Sequence, residues 1–378
     1  MTQHRALYKR TRHAVATVAS LLVLLCAAFN GSQELRAQDG ARTIDPIKEY
    51  RFNFEKSVKQ PALSGVALTR DRAALYVGGD DQRVYTCPVD GDSNIFQATG
   101  QATSEWVRAV AASPTANEIA TLSQNGIIAI WDLGKKQVVR QTSQQIVGAH
   151  AMAYAPTGSL IAVASYEPIV RVFDAATLKL VASWRAPGAS STALQFSPDG
   201  EYLAVGGRNG VARVWTTRTP PTVKDYELRN LNAADALGGK RRIRALAFSP
   251  DNKFLAVAGD ANQIVVYDLQ AQKQVASLVP RDGKVYSLAF LGYKEPGNKI
   301  LLVSGDSSNN LRVFDVKRQR LVASSDNSAS KHTGTVSSLL VEQVDGAGEP
   351  TTRVYSTSFD TTVKLWDLSE DLKISNSL

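Results

Sequence analysis

Short runs of alternating apolar and polar residues recur along the chain, and most of them end in an aromatic residue followed by aspartate. The runs are Val84–Pro88, Ile128–Asp132, Val170–Asp174, Val211–Trp215, Ile264–Asp268, Leu311–Asp315 and Val363–Asp367. Alternation with a period of two is typical of β-strands. Their spacing of roughly 40–50 residues leaves room for four short strands with turns in each unit. The pattern predicts an all-β chain of seven similar units, of which the first is degenerate.

Proline turns recur with the same spacing, at Pro114, Pro156, Pro198 and Pro250. Proline fixes φ at the first central position of a turn, and aspartate caps it. Glycine or asparagine then takes the left-handed position, as the sequence indicates for Gly158, Gly200 and Asn252. Each turn therefore predicts a hairpin between two β-rich runs.

These repeats resemble the WD40 repeat over about residues 50–368, and Trp131-Asp132 and Trp366-Asp367 match its signature literally. The resemblance, which extends to adaptors such as the G-protein β subunit, implies a seven-bladed WD40 β-propeller of four-stranded blades around a channel. In that family a strand from the N-terminus completes the last blade. The alternating segment Glu49–Phe54 is the candidate for this strand here.

The family also carries a buried hydrogen-bond network of histidine, serine or threonine, aspartate and tryptophan. In this sequence only the seventh unit comes close to it, with His332, Ser356, Asp360 and Trp366. The resemblance implies a structural role for these four residues, and we expect the other units to depend more on apolar packing.

The first residues have the pattern of an export signal. A basic segment, Met1–His13, precedes the apolar run Ala14–Phe29, which is shorter than the roughly 20 residues that a spanning helix needs. Small side chains favour cleavage after Ala37, with Cys26–Ala28 as a second candidate. An uncleaved signal anchor is the alternative. The expected location is periplasmic or secreted.

The domain organisation follows from these boundaries. We expect a signal segment at 1–37, a short linker at 38–48, the propeller at 49–368 and a tail at 369–378. Cleavage would leave no membrane span, and it would leave Cys87 without a cysteine partner, because Cys26 is the only other one.

Charge and motifs exclude several functional classes. Half of the net charge of +8 lies in residues 1–37, and the remaining excess is too dilute to predict nucleic-acid binding. The mature chain would hold only His150 and His332, too few for a histidine-rich metal site. No nucleophile elbow, zinc-protease motif or phosphate-binding loop is present. We expect no catalytic residue, no metal and no cofactor.

The resemblance implies two positions per blade that face partners from the top of the propeller. The first lies eight and six residues before the turn proline, and the second lies seven before the terminal aromatic. The first set comprises Trp106, Arg108, Gly148, His150, Ser190, Thr192, Arg242, Arg244, Lys284, Tyr286, Thr335 and Ser337. The second set comprises Asp80, Gln124, Tyr166, Arg208, Asp260, Ser307 and Phe359.

Nine of these residues are candidates for partner contact, because aromatic and arginine side chains are enriched at interface hot spots. They are Trp106, Arg108, Tyr166, Arg208, Arg242, Arg244, Lys284, Tyr286 and Phe359. The basic members on neighbouring units suggest an acidic segment in the partner. The expected function is a scaffold, monomeric by itself, that binds a protein or peptide. Ordinary solvated charges, a lactonase-like or quinoprotein-like enzyme or small-ligand binder, and a subunit of an envelope assembly remain alternatives.

Overall fold

The computed structural model describes residues 41–52, 63–90, 93–101, 105–143, 145–188, 190–217, 223–227, 242–292, 300–344 and 351–369. Every element assigned in this part of the chain is a β-strand, so the protein is all-β. The predicted signal segment at 1–37, residues 38–40 of the predicted linker, and the predicted tail after Ser369 lie outside the described residues.

The strands are short and follow one another closely. The first ten are β1 Arg42–Thr43, β2 Lys48–Phe52, β3 Leu63–Leu68, β4 Ala74–Gly79, β5 Arg83–Pro88, β6 Ile95–Gln101, β7 Val107–Ala112, β8 Glu118–Ser123, β9 Ile128–Asp132 and β10 Gln137–Gln141. The next ten are β11 Ala149–Tyr154, β12 Leu160–Ser165, β13 Ile169–Asp174, β14 Leu180–Arg185, β15 Ser191–Phe196, β16 Tyr202–Gly207, β17 Val211–Thr216, β18 Val223–Glu227, β19 Ile243–Phe248 and β20 Phe254–Gly259. The last nine are β21 Ile264–Asp268, β22 Lys273–Leu278, β23 Val285–Phe290, β24 Leu301–Asp306, β25 Leu311–Asp315, β26 Arg320–Ser324, β27 Val336–Val344, β28 Thr351–Ser358 and β29 Val363–Asp367.

Consecutive strands pair antiparallel into sheets. Four sheets contain four strands each: β7–β10, β11–β14, β15–β18 and β19–β22. Strands β23–β26 form a fifth sheet together with β1, and β2 joins β27–β29 to β3–β6 in an eight-stranded sheet. The seven runs found in the sequence form β5, β9, β13, β17, β21, β25 and β29. Each is the third strand of its consecutive series.

The second strands are buried on both faces. In β8, β12, β16 and β20 every residue after the first is buried, which is the pattern of a strand covered by layers on both sides. An alanine occupies the third position of each, namely Ala120, Ala162, Ala204 and Ala256. Larger residues from neighbouring sheets, such as Ile130 with Phe173 and Leu203 with Val172, pack into shared apolar clusters. The core therefore lies between the sheets.

The first strands of the sheets contact one another in order. Strand β3 contacts β7, followed by β11, β15, β19, β23 and β27, and β27 contacts β3. Side-chain hydroxyl groups form hydrogen bonds between neighbouring first strands: Ser64 Oγ donates to the Val107 carbonyl at 2.7 Å, and Ser337 Oγ donates to the Leu63 carbonyl at 3.3 Å. Thr192 Oγ1 donates to the Ile243 carbonyl in the same way. Thr192 and Ser337, expected to face a partner, thus bond to a neighbouring strand.

The N-terminal strap, residues 41–52, contacts three series of strands. Strand β2 pairs antiparallel with β29, with Lys48 opposite Leu365, and parallel with β6, with Phe52 opposite Phe96. Strand β1 pairs parallel with β26. The sequence predicted a strand at Glu49–Phe54; the observed one is β2, and residues 53–54 lie outside the described part. The contacts with β26 and β6 were not predicted.

The turn geometry predicted from the proline repeats is confirmed. Gly158, Gly200 and Asn252 have φ values of 73°, 75° and 59°, in the left-handed region that favours glycine and asparagine. At Gly158 a Cβ atom would also lie 2.2 Å from Thr115 Oγ1. Any larger residue there would need both a strained backbone and movement of the neighbouring turn.

Candidate functional site

The candidate contact residues lie along one edge of the sheets, which we call the upper edge. It is the edge at which the first strands begin and the second strands end. Trp106 and Arg242 directly precede β7 and β19, whereas Tyr166 and Phe359 directly follow β12 and β28. The local fold places them there because the first strand runs away from this edge and the second returns to it.

A repeated backbone hydrogen bond joins the two predicted sets. Six second-set residues donate their amide to the carbonyl of a first-set residue in the same sheet. The pairs are Gln124 with Trp106 at 2.8 Å, Tyr166 with Gly148 at 3.1 Å, Arg208 with Ser190 at 3.2 Å, Asp260 with Arg242 at 2.9 Å, Ser307 with Lys284 at 2.9 Å and Phe359 with Thr335 at 3.1 Å. Positions chosen separately from the sequence are therefore neighbours.

One group of side chains joins the upper edges of three neighbouring sheets. Arg244 Nε donates to Asp260 Oδ1 at 2.5 Å, and the Arg244 guanidinium lies 4.4 Å from the centroid of the Tyr286 ring. Tyr286 meets Phe359 edge to face at 6.5 Å, and Phe359 is 50% exposed. A carboxylate, a cation and two rings thus form a continuous surface.

A second group lies on the β7–β10 sheet. The Arg108 guanidinium lies 5.0 Å from the centroid of the Trp106 ring, and its Nη2 donates to Gln124 Oε1 at 2.8 Å. Trp106 is 42% exposed. Arg108 is held by a neutral amide and a ring, so its positive charge is not neutralised by these contacts.

A stacked pair of rings marks the upper edge of the β11–β14 sheet. His150 and Tyr166 lie 4.6 Å apart with an angle of 22° between the rings, and Tyr166 is 57% exposed. His150 Nδ1 lies 3.0 Å from the Gly148 carbonyl. A carbonyl only accepts, so Nδ1 carries the proton and donates it.

The environment of His150 disfavours its charged form. Burial lowers the pKa of His150 most. The backbone at Gly148 and Ser191 opposes this effect in part, and the positive charges of Arg108 and Arg242 add a smaller lowering. The neutral ring presents a lone pair at Nε2, which is buried and has no hydrogen-bond partner among the described residues.

The four cations predicted to gather lie on three consecutive sheets, and they differ in their partners. Arg244 is neutralised by Asp260, a pairing that the sequence analysis missed. The described residues form no ion pair with the side chain of Arg208, Arg242 or Lys284. The positive charge available to a ligand therefore lies on these three residues and on Arg108.

The four residues of the predicted network are joined by hydrogen bonds. His332 Nδ1 donates to Asp360 Oδ2 at 2.9 Å, and Ser356 Oγ lies 2.8 Å from both His332 Nε2 and Trp366 Nε1. Burial raises the pKa of Asp360, but hydrogen bonds and charge from His332 lower it by more, so the net shift is downward. Each of the polar atoms named here has a hydrogen-bond partner inside the network. These four residues therefore have a structural role.

A buried ion pair lies in the β23–β26 sheet. Arg312 bonds to Asp306 through Nη1 and to Asp326 Oδ1 through Nη2 at 2.7 Å. Arg312 and Asp306 are almost completely inaccessible to solvent, so the pair relies on its own hydrogen bonds in place of water. This pair was not predicted, because Asp306 and Arg312 do not belong to the repeated histidine network.

Within the described ranges, no three side chains of histidine, cysteine, aspartate or glutamate are placed to share a metal ion. The same ranges contain no helix with the length and apolar character that crossing a bilayer requires.

Comparison with known proteins identifies the fold independently. A family model described as the nucleolar protein 10-like, N-terminal domain, which is a β-propeller, matches residues 148–348. The match covers more than half of the chain and runs from β11 through β27. No curated protein matches the sequence.

Proposed function

Because the chain belongs to the nucleolar protein 10-like β-propeller family, we propose that it is a scaffold that binds a protein or peptide on its upper edge. One observation carries the proposal. Exposed aromatic rings share this edge with cations that have no acidic partner in the described part of the chain, and the backbone register repeats there from sheet to sheet. Aromatic and arginine side chains supply most of the binding energy at protein interfaces.

The ring geometry behind this surface is part of the same proposal. We infer seven blades, with the N-terminal strap completing the last one. The contacts between first strands, which return from β27 to β3, support this arrangement, as does the antiparallel pairing of β2 with β29. In such a ring all upper-edge residues face the same side of the molecule.

The chemistry of the partner follows from the charges. Arg208, Arg242 and Lys284 would attract an acidic segment, because opposite potentials across an interface steer association and fix register. The rings of Trp106 and Phe359 would cover apolar side chains next to it. Arg244 contributes less than the sequence suggests, since Asp260 already neutralises it.

Substituting Trp106, Arg242 and Phe359 together by alanine is expected to weaken partner capture at least tenfold, equivalent to about 1.4 kcal/mol. The measurement is recovery of bound protein from a native extract, followed by titration of the recovered partner. The melting temperature should stay within a few degrees, because two of the three side chains are about half exposed.

The matched control removes two cations and one exposed apolar residue elsewhere. Lys135 and Lys179 lie in turns at the opposite edge, and Leu180 is 51% exposed on an outer strand. The variant with alanine at these three positions should capture the partner as the wild type does. Equal capture by the wild type and the upper-edge variant would refute the proposed surface.

We also propose that the protein is exported, which rests on the basic and apolar pattern of residues 1–37. The word nucleolar in the family description refers to another protein. Purified protein from its native cell should begin at Gln38, and aspartate at Leu22 and Leu24 should retain the chain inside the cell, because charges interrupt the apolar run. A wild-type chain that keeps Met1 and fractionates with the cytosol would contradict export.

A further inference from the structure

Several buried polar atoms at the upper edge have no hydrogen-bond partner among the described residues. Ser190 Oγ, Ser191 Oγ and Arg242 Nε can donate, whereas the lone pair of His150 Nε2 and the carboxylate oxygen Glu167 Oε2 can only accept. Ser190 is only 4% exposed. Buried polar groups in folded proteins nearly always have a partner, and a group without one points to a missing water, ion or ligand. Their presence on one edge calls for a common explanation.

These residues belong to one neighbourhood. The charges of Arg108 and Arg242 both act on His150, and the Ser191 backbone reaches the same ring. The first strands that carry them also lie side by side, since β11 contacts β15 and β15 contacts β19. Arg108 and Arg242 therefore lie near His150, and Ser190 directly precedes the residue whose backbone reaches the same ring.

The hydrogen-bond donors and the positive charges of these residues indicate which kind of ligand would bind. Ser190 and Arg242 offer donors, and Arg108 adds a second positive charge. Two carboxylates of the same edge already have cationic partners: Glu167 pairs with Arg171 at 2.6 Å, and Asp260 pairs with Arg244. A cation would be repelled, and a neutral ligand would leave the arginine charges without compensation. An oxyanion matches the donors and the guanidinium geometry.

We propose that Ser190, Arg242 and Arg108 form a site beside His150 for an oxyanion, either a carboxylate or a phosphoryl group. The inference rests on the proposed use of the upper edge, because the oxyanion would be the part of the partner that is anchored there. Arg242 supplies a positive charge, and the hydroxyl of Ser190 supplies a hydrogen-bond donor on a short side chain. The rings of Tyr166 and Trp106 border the site and would contact the remainder of the ligand.

The test is calorimetric titration of the full chain with inorganic phosphate and, separately, with glutarate, at constant ionic strength set by chloride. Binding of at least one anion is expected. Arg242→Gln should weaken it at least tenfold and Ser190→Ala by about threefold to tenfold. Lys135→Gln removes a charge from the opposite edge and should leave the affinity unchanged.

The melting temperature of each variant reports separately on its folding. Removing a buried donor that has no partner does not leave a new unsatisfied group, so Ser190→Ala should melt at the wild-type temperature or higher when no anion is present. A clearly lower melting temperature would show that Ser190 has a structural partner, and would overturn its assignment to the site.

The outcomes separate the ligand classes and the two proposals. Binding of phosphate alone identifies a phosphoryl group, and binding of glutarate alone identifies a carboxylate. Absence of both, or equal affinity in Arg242→Gln, overturns the oxyanion site. If the triple alanine variant still loses its partner in that case, the scaffold proposal stands and only the oxyanion site falls.

Discussion

Replacing Tyr50 by alanine is expected to lower the free energy of unfolding by about 3–5 kcal/mol. Tyr50 lies in β2 and is completely buried in an apolar cluster with Phe96, Tyr355 and Val363. Its hydroxyl donates to the Val89 carbonyl at 3.3 Å, and burial raises its pKa to about 12. The substitution would open a cavity where β29, β2 and β6 meet. Urea denaturation followed by circular dichroism measures the effect.

Two further substitutions in the strap separate packing from other effects. Tyr50→Phe keeps the ring and loses one hydrogen bond, so a change of about 1 kcal/mol is expected. Ile47 lies in the same strap but is 60% exposed, and Ile47→Ala should change stability by less than about 0.5 kcal/mol. A Tyr50→Ala variant as stable as Ile47→Ala would mean that the strap adds little to the fold.

Replacing Arg312 by methionine is expected to destabilise the protein by a similar amount, about 3–5 kcal/mol. Methionine fills much of the space, but it leaves the Asp306 carboxylate buried without its cation. Asp306 would then either protonate or remain charged in an apolar environment, and both are unfavourable at neutral pH. Thermal and urea denaturation at pH 7 would show the loss.

The double variant Asp306→Asn/Arg312→Met tests the reason for that loss. Asparagine keeps an acceptor for the Ser308 and Asn310 amides, which now bond to Asp306 at 2.8 and 3.1 Å, and it removes the unpaired charge. We expect it to recover a large part of the stability. Lys135→Ala serves as the control, because the Lys135 side chain is largely exposed and pairs with Asp132 near the surface. A double variant no better than Arg312→Met would refute the charge argument.

Features that repeat along the chain could be predicted from the sequence. The third strands follow from the alternation that precedes each aromatic residue, as at Trp131 and Trp366. The left-handed turn at Gly200 follows from the residues around Pro198. Both depend on neighbours within a few positions, so periodicity is sufficient to find them. The edge on which Trp106 and Tyr166 lie follows in the same way, because one register applies to every unit.

Features that depend on residues far apart in sequence were missed. The contact of Arg244 with Tyr286 depends on which side chains reach from one sheet to the next. The parallel pairing of β1 with β26 places Arg42 opposite Ala323, far along the chain. Neither leaves a local pattern, because backbone hydrogen bonding at a sheet edge accepts many sequences. The sequence therefore located the upper edge but not the cations that remain unneutralised there.

The N-terminal strap also has a consequence for the order of events during synthesis. A ribosome makes residues 41–52 before any other part that the structure describes, yet Lys48 pairs with Leu365, near the end of the chain. The earliest strands must wait for the latest ones, while the sheets between them form from neighbouring segments. Bringing such distant ends together costs entropy that grows only slowly with the intervening length. The sheets in the middle of the chain can therefore form first. Strand β2 can pair with β29 only after β29 has been synthesised.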